Sequence, residues 1–474
     1  MALYISSTVS TSGTVFLANT SIPFTVTANQ ATVVQISPAN YAILNSQNEG
    51  VNPGRAIRIT AQSPVVVYAH ILNAARSGST LLYPANTLGR DYMVASYSSV
   101  VAQSPPQTVV NGSPAGSQFT IVAVEDNTTI EIIPTAPDVA GTRAVNVPFE
   151  ISLNRGDVYQ YRTSSSQDVT GSRIRSKATA TASCKPIAVF SGSSWTSLGC
   201  PNIPGSSGCP ASGGDNLFLQ MVPKSAWGKQ YVTAPFADRP FDIYRILVDD
   251  PSTIVNVNGT NLSPGLLVNG SYYEIVGSTP NVINTDKPVI VVQYMVSQNC
   301  DRRNNISPNC DVFASTAGFP GDPEMVIVNS IEQTINDVTV VSARRDLSPH
   351  NTIFTKHFFT IIMKTANTGT LRIDGAPPTG SFIPIPGSGY SYLHENVTNS
   401  TASNPSHRIR ADSGFVALAY GLGNVESYGY NAGSNVIDLY QYISTSNKFA
   451  TVNSPVACKS SPFILSITVP YRPT

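Results

Sequence analysis

Charged residues are scarce in this chain of 474 residues. Asp, Glu, Lys and Arg together make up only 12%, about half the usual share, and the formal net charge is zero. The surface must therefore be covered largely by Ser, Thr and Asn. A chain without a basic excess offers no patch that attracts phosphates, so we expect no nucleic-acid partner.

Long apolar runs and helical periodicity are missing as well. No run approaches the length that predicts a membrane-spanning helix, and residues 326–335, the nearest helical pattern, are equally compatible with a strand. The first residues lack a basic segment followed by a long apolar core, so we expect no signal peptide and regard a mature fragment as an option. Short apolar runs rich in Val, Ile and Tyr, broken by 33 Gly and 35 Pro, predict an all-β protein.

Catalytic and zinc-binding motifs are lacking too. Gly-x-Ser-x-Gly, the turn that presents a nucleophilic serine, does not occur, and the five histidines show no His-x-x-x-His spacing. Paired acids occur at 125–126 and 249–250, both at equivalent turns where carboxylates bond the backbone. We therefore predict that the chain is not an enzyme and has no cofactor.

Calcium has one pair of candidate ligands. Asp301 and Asp311 stand at the two ends of a single predicted loop, and carboxylate oxygens are the ligands that calcium prefers. Two polar turns are the simpler interpretation, because no glycine-containing loop with acids at alternate positions accompanies them.

One pattern occurs three times along the chain. It consists of an alternating apolar strand, a polar turn and a second strand, and each copy predicts a β-hairpin. A short apolar run led by Pro or Gly recurs with it at a spacing of a little over a hundred residues, which is the size of a domain rather than of a solenoid repeat. The strand–turn–strand copies lie at 118–133, 242–259 and 358–375, and the apolar runs at 63–68, 185–190, 287–292 and 413–418.

The repeat predicts tandem, related, antiparallel β-sandwich-like units. A closed ring of β-sheets, such as a propeller, is the alternative architecture, and antiparallel pairing is expected in both because the links are short. The two ends of the chain resemble partial units, which either complete one another or belong to a longer array. The predicted divisions are a partial unit at 1–50, whole units at 51–162, 163–276 and 277–400, and a partial unit at 401–474.

Six cysteines allow fifteen pairings. Cys200 with Cys209, and Cys300 with Cys310, flank loops at the same place in consecutive units, which favours two local disulfides. Cys184 and Cys458 would then pair by elimination. Free buried thiols are the alternative interpretation; disulfides would place the chain outside the cytosol.

Glycosylation sequons are present but are weak evidence that the chain is extracellular. Nine Asn-x-Ser/Thr sequences occur, and a chain this rich in Asn, Ser and Thr carries nearly as many by chance. Nearby proline disfavours Asn111, Asn261 and Asn305 as acceptors. The predicted glycosylation sites are Asn19, Asn127, Asn258, Asn269, Asn396 and Asn399.

Two tryptophans could contribute to a binding surface. Trp227 precedes a glycine in a phrase that is echoed at Leu88 and Gly89, which favours a packing role. Trp195 follows an apolar run and is the better candidate for an exposed aromatic contact with a sugar or a protein.

Several short phrases occur in a characteristic order and spacing. They are 185–192, the span from Cys200 to Cys209, 215–223, 227–232, the predicted hairpin at 242–259, 419–423 and 426–433. With them the middle of the chain resembles the N-terminal domain of IgG Fc-binding protein, a family found in secreted mucus and adhesive proteins. The similarity covers roughly 50–435, although the family tends to have proline where Asn431 stands. It implies an extracellular, cysteine-bearing module and gives no residue-level Fc-binding motif.

These observations predict a secreted, non-enzymatic structural or adhesion module. It would contact other matrix or mucus proteins, or itself, through its variable loops. A lectin-like or immunoglobulin Fc-binding module is the main alternative, so a glycan or an immunoglobulin is the second class of partner. A hydrolase with an unrecognised site is a more distant third.

Overall fold

Four antiparallel β-sheets, here called blades 1 to 4, are arranged in a ring around a common axis, and four further sheets accompany them in the described part of the chain. The computed structural model describes residues 1–37, 49–72, 76–99, 109–110, 113–164, 166–179, 184–198, 214–297, 320–343, 354–423, 426–437, 439, 442–446, 451–452 and 464–468.

Blade 1 is built from the N-terminal residues. Its strands and those of the small sheet behind it are β1 (Ala2–Ser6), β2 (Thr11–Phe16), β3 (Ser21–Val26), β4 (Ala31–Gln35), β5 (Gly50–Asn52), β6 (Arg58–Ala61), β7 (Val66–Leu72) and β8 (Ser77–Leu82). The blade has the order β4-β1-β7-β8, and β3-β2-β6 forms the second sheet, while β5 joins blade 2.

Blade 2 follows the same plan. Its strands are β9 (Asp91–Met93), β10 (Val109–Val110), β11 (Ser113–Pro114), β12 (Ser117–Ala123), β13 (Thr128–Ile133), β14 (Phe149–Leu153), β15 (Val158–Arg162), β16 (Arg173–Lys177), β17 (Ile187–Thr196) and β18 (Asp215–Gln220). The blade has the order β18-β17-β12-β15-β5, the second sheet is β14-β13-β16-β9, and β10 pairs with β11.

In blade 3 the two sheets merge, because one long strand runs through both. The strands are β19 (Gly228–Thr233), β20 (Asp242–Val248), β21 (Val255–Val257), β22 (Thr260–Asn261), β23 (Tyr272–Gly277), β24 (Asn281–Met295) and β25 (Glu324–Val328). The first half of β24 pairs with β19 and β21, and its second half pairs with β20 and β25.

Blade 4 repeats this merged arrangement around another long strand. Its elements are β26 (Ile335–Val341), β27 (Phe354–Lys364), β28 (Arg372–Ile373), β29 (Ile383–Pro384), β30 (Tyr390–Asn396), a short helix α1 (Thr398–Ser403), β31 (Ser406–Gly423) and β32 (Glu426–Asn431). Three further strands, β33 (Tyr442–Ser446), β34 (Thr451–Val452) and β35 (Ile464–Thr468), form a separate small sheet. Single 3-10 turns lie at Ala85–Thr87, Lys224–Ala226, Pro264–Leu266, Ile331–Gln333 and Thr365–Thr370.

The predicted all-β, antiparallel fold is confirmed, and its units close into a ring. The four apolar runs led by Pro or Gly lie in β7, β17, β24 and β31, each of which pairs with the innermost strand of its blade. The strand–turn–strand copies are not hairpins, however. In each copy the two strands do not pair with one another. In the second and third copies both strands pair with one long strand, β24 or β31. In the first copy they pair with two separate strands, β17 and β16, which take the place of the long strand.

The recurring Leu-Gly and Trp-Gly phrases fold into the same local structure in two units. The Tyr92 hydroxyl accepts a hydrogen bond from the Gly89 N–H (2.8 Å) and donates to the Ile187 carbonyl (2.8 Å). The Tyr231 hydroxyl likewise accepts from the Gly228 N–H (3.1 Å) and donates to a carbonyl of β24. A buried tyrosine therefore ties each unit's first strand to its central strand, and Trp227 is buried beside it.

The ring closes where blade 4 meets blade 1. The rings of Tyr68 and Tyr430 stack with centroids 4.3 Å apart, and the Tyr68 hydroxyl donates to the Ala432 carbonyl at 2.5 Å. The Ser6 hydroxyl donates to the Thr339 carbonyl at 2.9 Å. Residues from the first and last blades thus share one core, which a linear array of separate sandwiches would not form.

Burial explains why the blades associate. In β20 and β27 nearly every residue is buried, so both faces of the strand are covered by protein. Blades 2 and 3, blades 3 and 4, and blades 4 and 1 share clusters of buried apolar side chains. Each such junction removes a large apolar area from water, which is the dominant stabilising effect in a ring of this type.

Candidate functional site

The inner strands β8, β18, β25 and β32 surround the ring axis and contact one another in that order. Each is joined by antiparallel pairing to the strand before it in sequence, so all four connections lie at the same end of the ring. The register pairs that bound these connections are Leu72 with Ser77, Thr196 with Asp215, Met295 with Glu324, and Gly423 with Glu426.

Four buried acids lie at this end of the axis. Asp215, Glu324 and Glu426 are the first residues of their inner strands, and Asp322 precedes β25 by two residues. Exposure is 0% for Asp215, Asp322 and Glu324, and 3% for Glu426. We call these four residues the axial carboxylate cluster. Acidic side chains are almost never buried so completely without a specific role or partner.

Serines and main-chain N–H groups hold two members of the cluster. The Ser77 N–H donates to Asp215, and the Ser79 hydroxyl lies 3.3 Å from Glu324 Oε2. Glu324 also accepts from the N–H groups of Gly429 and Met325, each at 3.1 Å. Inner strands of three different blades therefore meet through one carboxylate.

Glu426 is held less firmly. Neither of its carboxylate oxygens makes a well-formed hydrogen bond, although the Ser77 hydroxyl is near enough to lower its pKa slightly. Burial, and next the charge of Asp322, raise the pKa of Glu426 to about 8. At neutral pH this carboxyl is mainly protonated.

Asp215 and Glu324 show the same tendency. Burial raises the pKa of Asp215 well above its usual range, and the charges of Glu426, Asp322 and Glu324 raise it further. Burial also raises the pKa of Glu324. Arg76, which directly precedes β8 at this end of the ring, is a nearby cation. Burial lowers its pKa, while the charges of Asp215 and Glu426 raise it.

The cluster is not arranged as a metal site. Across the residues that the structure describes, no three His, Cys, Asp or Glu side chains are grouped closely enough to hold a metal ion. The arrangement instead favours neutral carboxyl groups that donate and accept hydrogen bonds. The predicted calcium candidates Asp301 and Asp311 lie outside the described residues.

Trp195 lies next to the cluster. It is the second-last residue of β17, is half-buried, and has the Arg76 guanidinium 5.3 Å from its ring centroid. Its neighbour Thr196 pairs with Asp215 across the two strands. The predicted aromatic contact thus lies at the rim of the axial end, within a strand rather than in a loop.

The other predicted site residues are spread over the surface. Cys184 is half-buried, and Arg90 Nε donates to its carbonyl at 3.0 Å. The remaining five cysteines, Cys200, Cys209, Cys300, Cys310 and Cys458, lie outside the described residues, so their pairing stays a prediction. The predicted glycosylation sites Asn19, Asn127, Asn258, Asn269, Asn396 and Asn399 are all exposed.

The sequence interpretation missed the axial carboxylate cluster. Its one signal was available: Asp215 and Glu426 each begin an apolar strand directly after a variable connection. Of the turn acids that drew notice instead, Asp249 pairs with Arg173 and Lys224, whereas Asp250 has the local role expected for it. Asp250 accepts from the Ser252 N–H at 2.8 Å and pairs with Lys287, and the Lys287 contact followed by Ser252 lowers the pKa of Asp250 to about 2.

No helix in the described parts of the chain is long and apolar enough to span a membrane. None of the curated proteins compared with the chain matches it. Among solved structures, a calcium-stabilised adhesin with which an Antarctic bacterium binds ice aligns over 91% of this chain and 93% of its own, at 10% identity. Its TM-score is 0.09, so this alignment carries no argument about fold or function.

The family comparison covers most of the ring. The model of the family described as IgGFc binding protein matches residues 78–421, from the second residue of β8 to two residues before the end of β31. This range includes Asp215, Asp322 and Glu324, and it confirms the resemblance identified from short phrases in the sequence. The chain therefore belongs to the IgG Fc-binding protein family.

Proposed function

We propose that the chain is a non-enzymatic extracellular binding module, in which a rigid ring presents variable connections around one end of its axis. The observation that supports this most is topological. The connections after β7, β17, β24 and β31 all leave and re-enter the ring beside the axial carboxylate cluster. Recognition residues are commonly placed on such loops because the scaffold fixes their ends.

The proposed partner is another matrix or mucus protein, or a second copy of the chain. The low share of charged residues and the zero net charge favour contact through polar and aromatic groups rather than through electrostatic steering. Extracellular placement is part of the proposal. It agrees with the family and with the paired positions of Cys200 with Cys209 and Cys300 with Cys310 in two equivalent connections.

Replacing the connection 199–213 by a short Gly-Ser linker tests the proposal. We expect binding to purified mucin, or self-association, to weaken at least about tenfold, since loop contacts supply the affinity. Biolayer interferometry and analytical ultracentrifugation measure these two effects. The matched control replaces 144–148, an exposed segment of blade 2 outside the axial end. Unchanged binding in the 199–213 variant, with both variants folded by circular dichroism, would contradict a role for this end of the ring.

Immunoglobulin Fc or glycan binding is the second candidate function. Family membership favours it, and so does the position of Trp195 beside Arg76 at the rim. An aromatic ring next to a guanidinium is a common contact for sugars and proteins. Saturable binding of isolated Fc or of a glycan that is lost in Trp195→Ala, without any binding to mucin or to itself, would replace the first proposal by this one.

A further inference from the structure

The junction between blades 1 and 2 is packed differently from the other three. The buried side chains there do not form a cluster shared by both blades; the core of blade 1 is closed mainly by its own second sheet. A half-open cavity of about 1720 Å³ lies between the two blades. This volume exceeds the usual range of small-molecule pockets. We call it the inter-blade cleft, and its walls include Leu3 and Ala69 of blade 1 and Val122, Ala188 and Phe190 of blade 2.

Strand β12 shows the incomplete packing in its burial pattern. Residues of one face, such as Phe119 and Ile121, are fully buried, whereas Gln118, Thr120 and Val122 on the other face are only half-buried. The equivalent strand β20 of blade 3 is buried on both faces. The exposed face of β12 forms a wall of the inter-blade cleft. A large, partly apolar concave surface of this kind is typical of ligand-binding sites.

The charge of the cleft has one sign. Arg55, Arg58, Arg76 and Arg155 line it, and among the described residues its lining contains no Asp or Glu. Arg58 is exposed, lies 3.9 Å from the Phe16 ring centroid and makes no ion pair in the described part of the chain. Arg155 is also exposed. The nearby carboxylate of Asp157 accepts from the N–H groups of Gly54 and Asn154, each at 2.9 Å.

We propose that the inter-blade cleft binds a small amphipathic anion, with an apolar body along Ala69, Val122 and Ala188 and a carboxylate or sulfonate among the arginines. Apolar walls provide the burial, the arginines provide charge-assisted hydrogen bonds, and the absence of acids in the described lining disfavours cations. The proposal does not require partner binding at the axial end of the ring, although Arg76 lies at that end and also lines the cleft.

Fluorescence of 1-anilinonaphthalene-8-sulfonate bound to the intact chain is the first test. We expect a saturable blue-shifted signal that oleate displaces, and that oleyl alcohol and dodecyltrimethylammonium displace at least about tenfold less well, because they lack the anionic group. Competition between oleate and the aromatic sulfonate distinguishes an aliphatic from an aromatic body. Equal displacement by the cationic amphiphile, or no saturable signal, overturns the proposal.

Substitutions test whether the fluorescent probe binds in the inter-blade cleft. Arg58→Gln with Arg155→Gln should weaken the anionic ligands by about tenfold, while Arg372→Gln, an exposed arginine of blade 4, should leave them unchanged. Ala188→Trp should place an indole ring on the proposed site of the apolar body and weaken the anionic ligands by about tenfold; Val122→Phe serves if that variant does not fold. Unchanged binding in a folded variant places the probe elsewhere and contradicts the proposal.

Discussion

Arg245→Met should lower the free energy of unfolding by about 3–5 kcal/mol, the range seen when one member of a buried ion pair is removed. Arg245 lies in β20 of blade 3 and is 4% exposed. Its Nη1 donates to the Ser96 carbonyl at 2.6 Å and to Asp168 at 2.7 Å, and its Nε donates to Glu274 at 2.8 Å. One side chain therefore joins blade 3 to two segments of blade 2.

Aromatic rings enclose the same guanidinium. It lies 3.9 Å from the ring centroid of Tyr97 and 4.6 Å from that of Tyr272. Methionine fills much of the volume but removes the donor to Asp168 Oδ2 and to Glu274 Oε2, while the Ser96 carbonyl keeps the hydroxyls of Thr170 and Tyr294 as donors. Arg245→Lys should recover only part of the loss, because an ammonium group cannot reproduce the planar fork of donors.

Chemical denaturation followed by tryptophan fluorescence measures the effect. Arg372→Met is the matched control, since Arg372 is exposed and, within the described structure, its guanidinium donates to the nearby main-chain carbonyls of Gly369 and Leu371. A loss of less than about 1 kcal/mol in Arg245→Met, the value typical of an exposed ion pair, would show that this contact does not join the blades.

The second large effect concerns the pH dependence of stability. Glu426 has a pKa of about 8 in the folded protein against 4.5 for the free side chain. Between these values the unfolded chain has lost the proton that the folded chain still holds, so stability falls as pH rises from about 4.5 to about 8. Above that window the penalty stays constant.

Other buried groups limit where the fall can be observed. Burial lowers the pKa of His357 and His394 to about 4, so their contribution rises with pH until about 6.5 and opposes that of the acids. Burial raises the pKa of Asp242 to about 7, which adds to the fall. Stability should therefore decline most clearly between pH 6.5 and 8.5.

Glu426→Gln isolates one carboxyl, because glutamine imitates the protonated acid. The groups facing Glu426 are Asp215, Asp322 and Arg76, and all remain in the variant. We expect the variant to gain about 2–4 kcal/mol on the wild type between pH 5 and pH 8.5. Glu125→Gln, at an exposed turn, should show no such gain. Parallel stability curves for the wild type and Glu426→Gln would mean that the axial acid is not buried as described.

The sequence predicted where strands occur better than it predicted which strands pair with one another. The presence of strands and the repeat length followed from the apolar runs. Asn258 and Gly259, both at positive φ, form the two-residue turn between β21 and β22, a turn that Asn followed by Gly favours. The predicted hairpins were wrong because a short polar turn also fits a chain that crosses between two layers. The long strands β24 and β31, each of which pairs with both strands of a copy, reveal the difference.

The sequence of β20 indicated a ring of covered blades, although the alternating apolar pattern of other strands made this difficult to recognise. Residues 243–248 read Ile-Tyr-Arg-Ile-Leu-Val, which is nearly continuous apolar character with one arginine. A sandwich strand with one face in water would alternate more strictly, whereas a blade covered by two neighbours would not. The sequence marks Asp215 and Glu426 only as acids at the start of a strand; that four acids from residues 215 to 426 form one cluster does not follow from it, because they meet only once the ring is closed.

A cross-link between the first and last blades tests the closed ring most directly. The Ala31 N–H donates to the Ser406 hydroxyl at 2.8 Å, although 375 residues separate them. In Ala31→Cys with Ser406→Cys, mild oxidation should give a peptide pair joined through these two positions in the monomer, detected by mass spectrometry. Ala31→Cys with Ser252→Cys, which joins blade 1 to the opposite blade 3, should not. An efficient first cross-link is the result that a four-bladed ring predicts; its absence in folded monomer, or equal yield from both pairs, would contradict the ring.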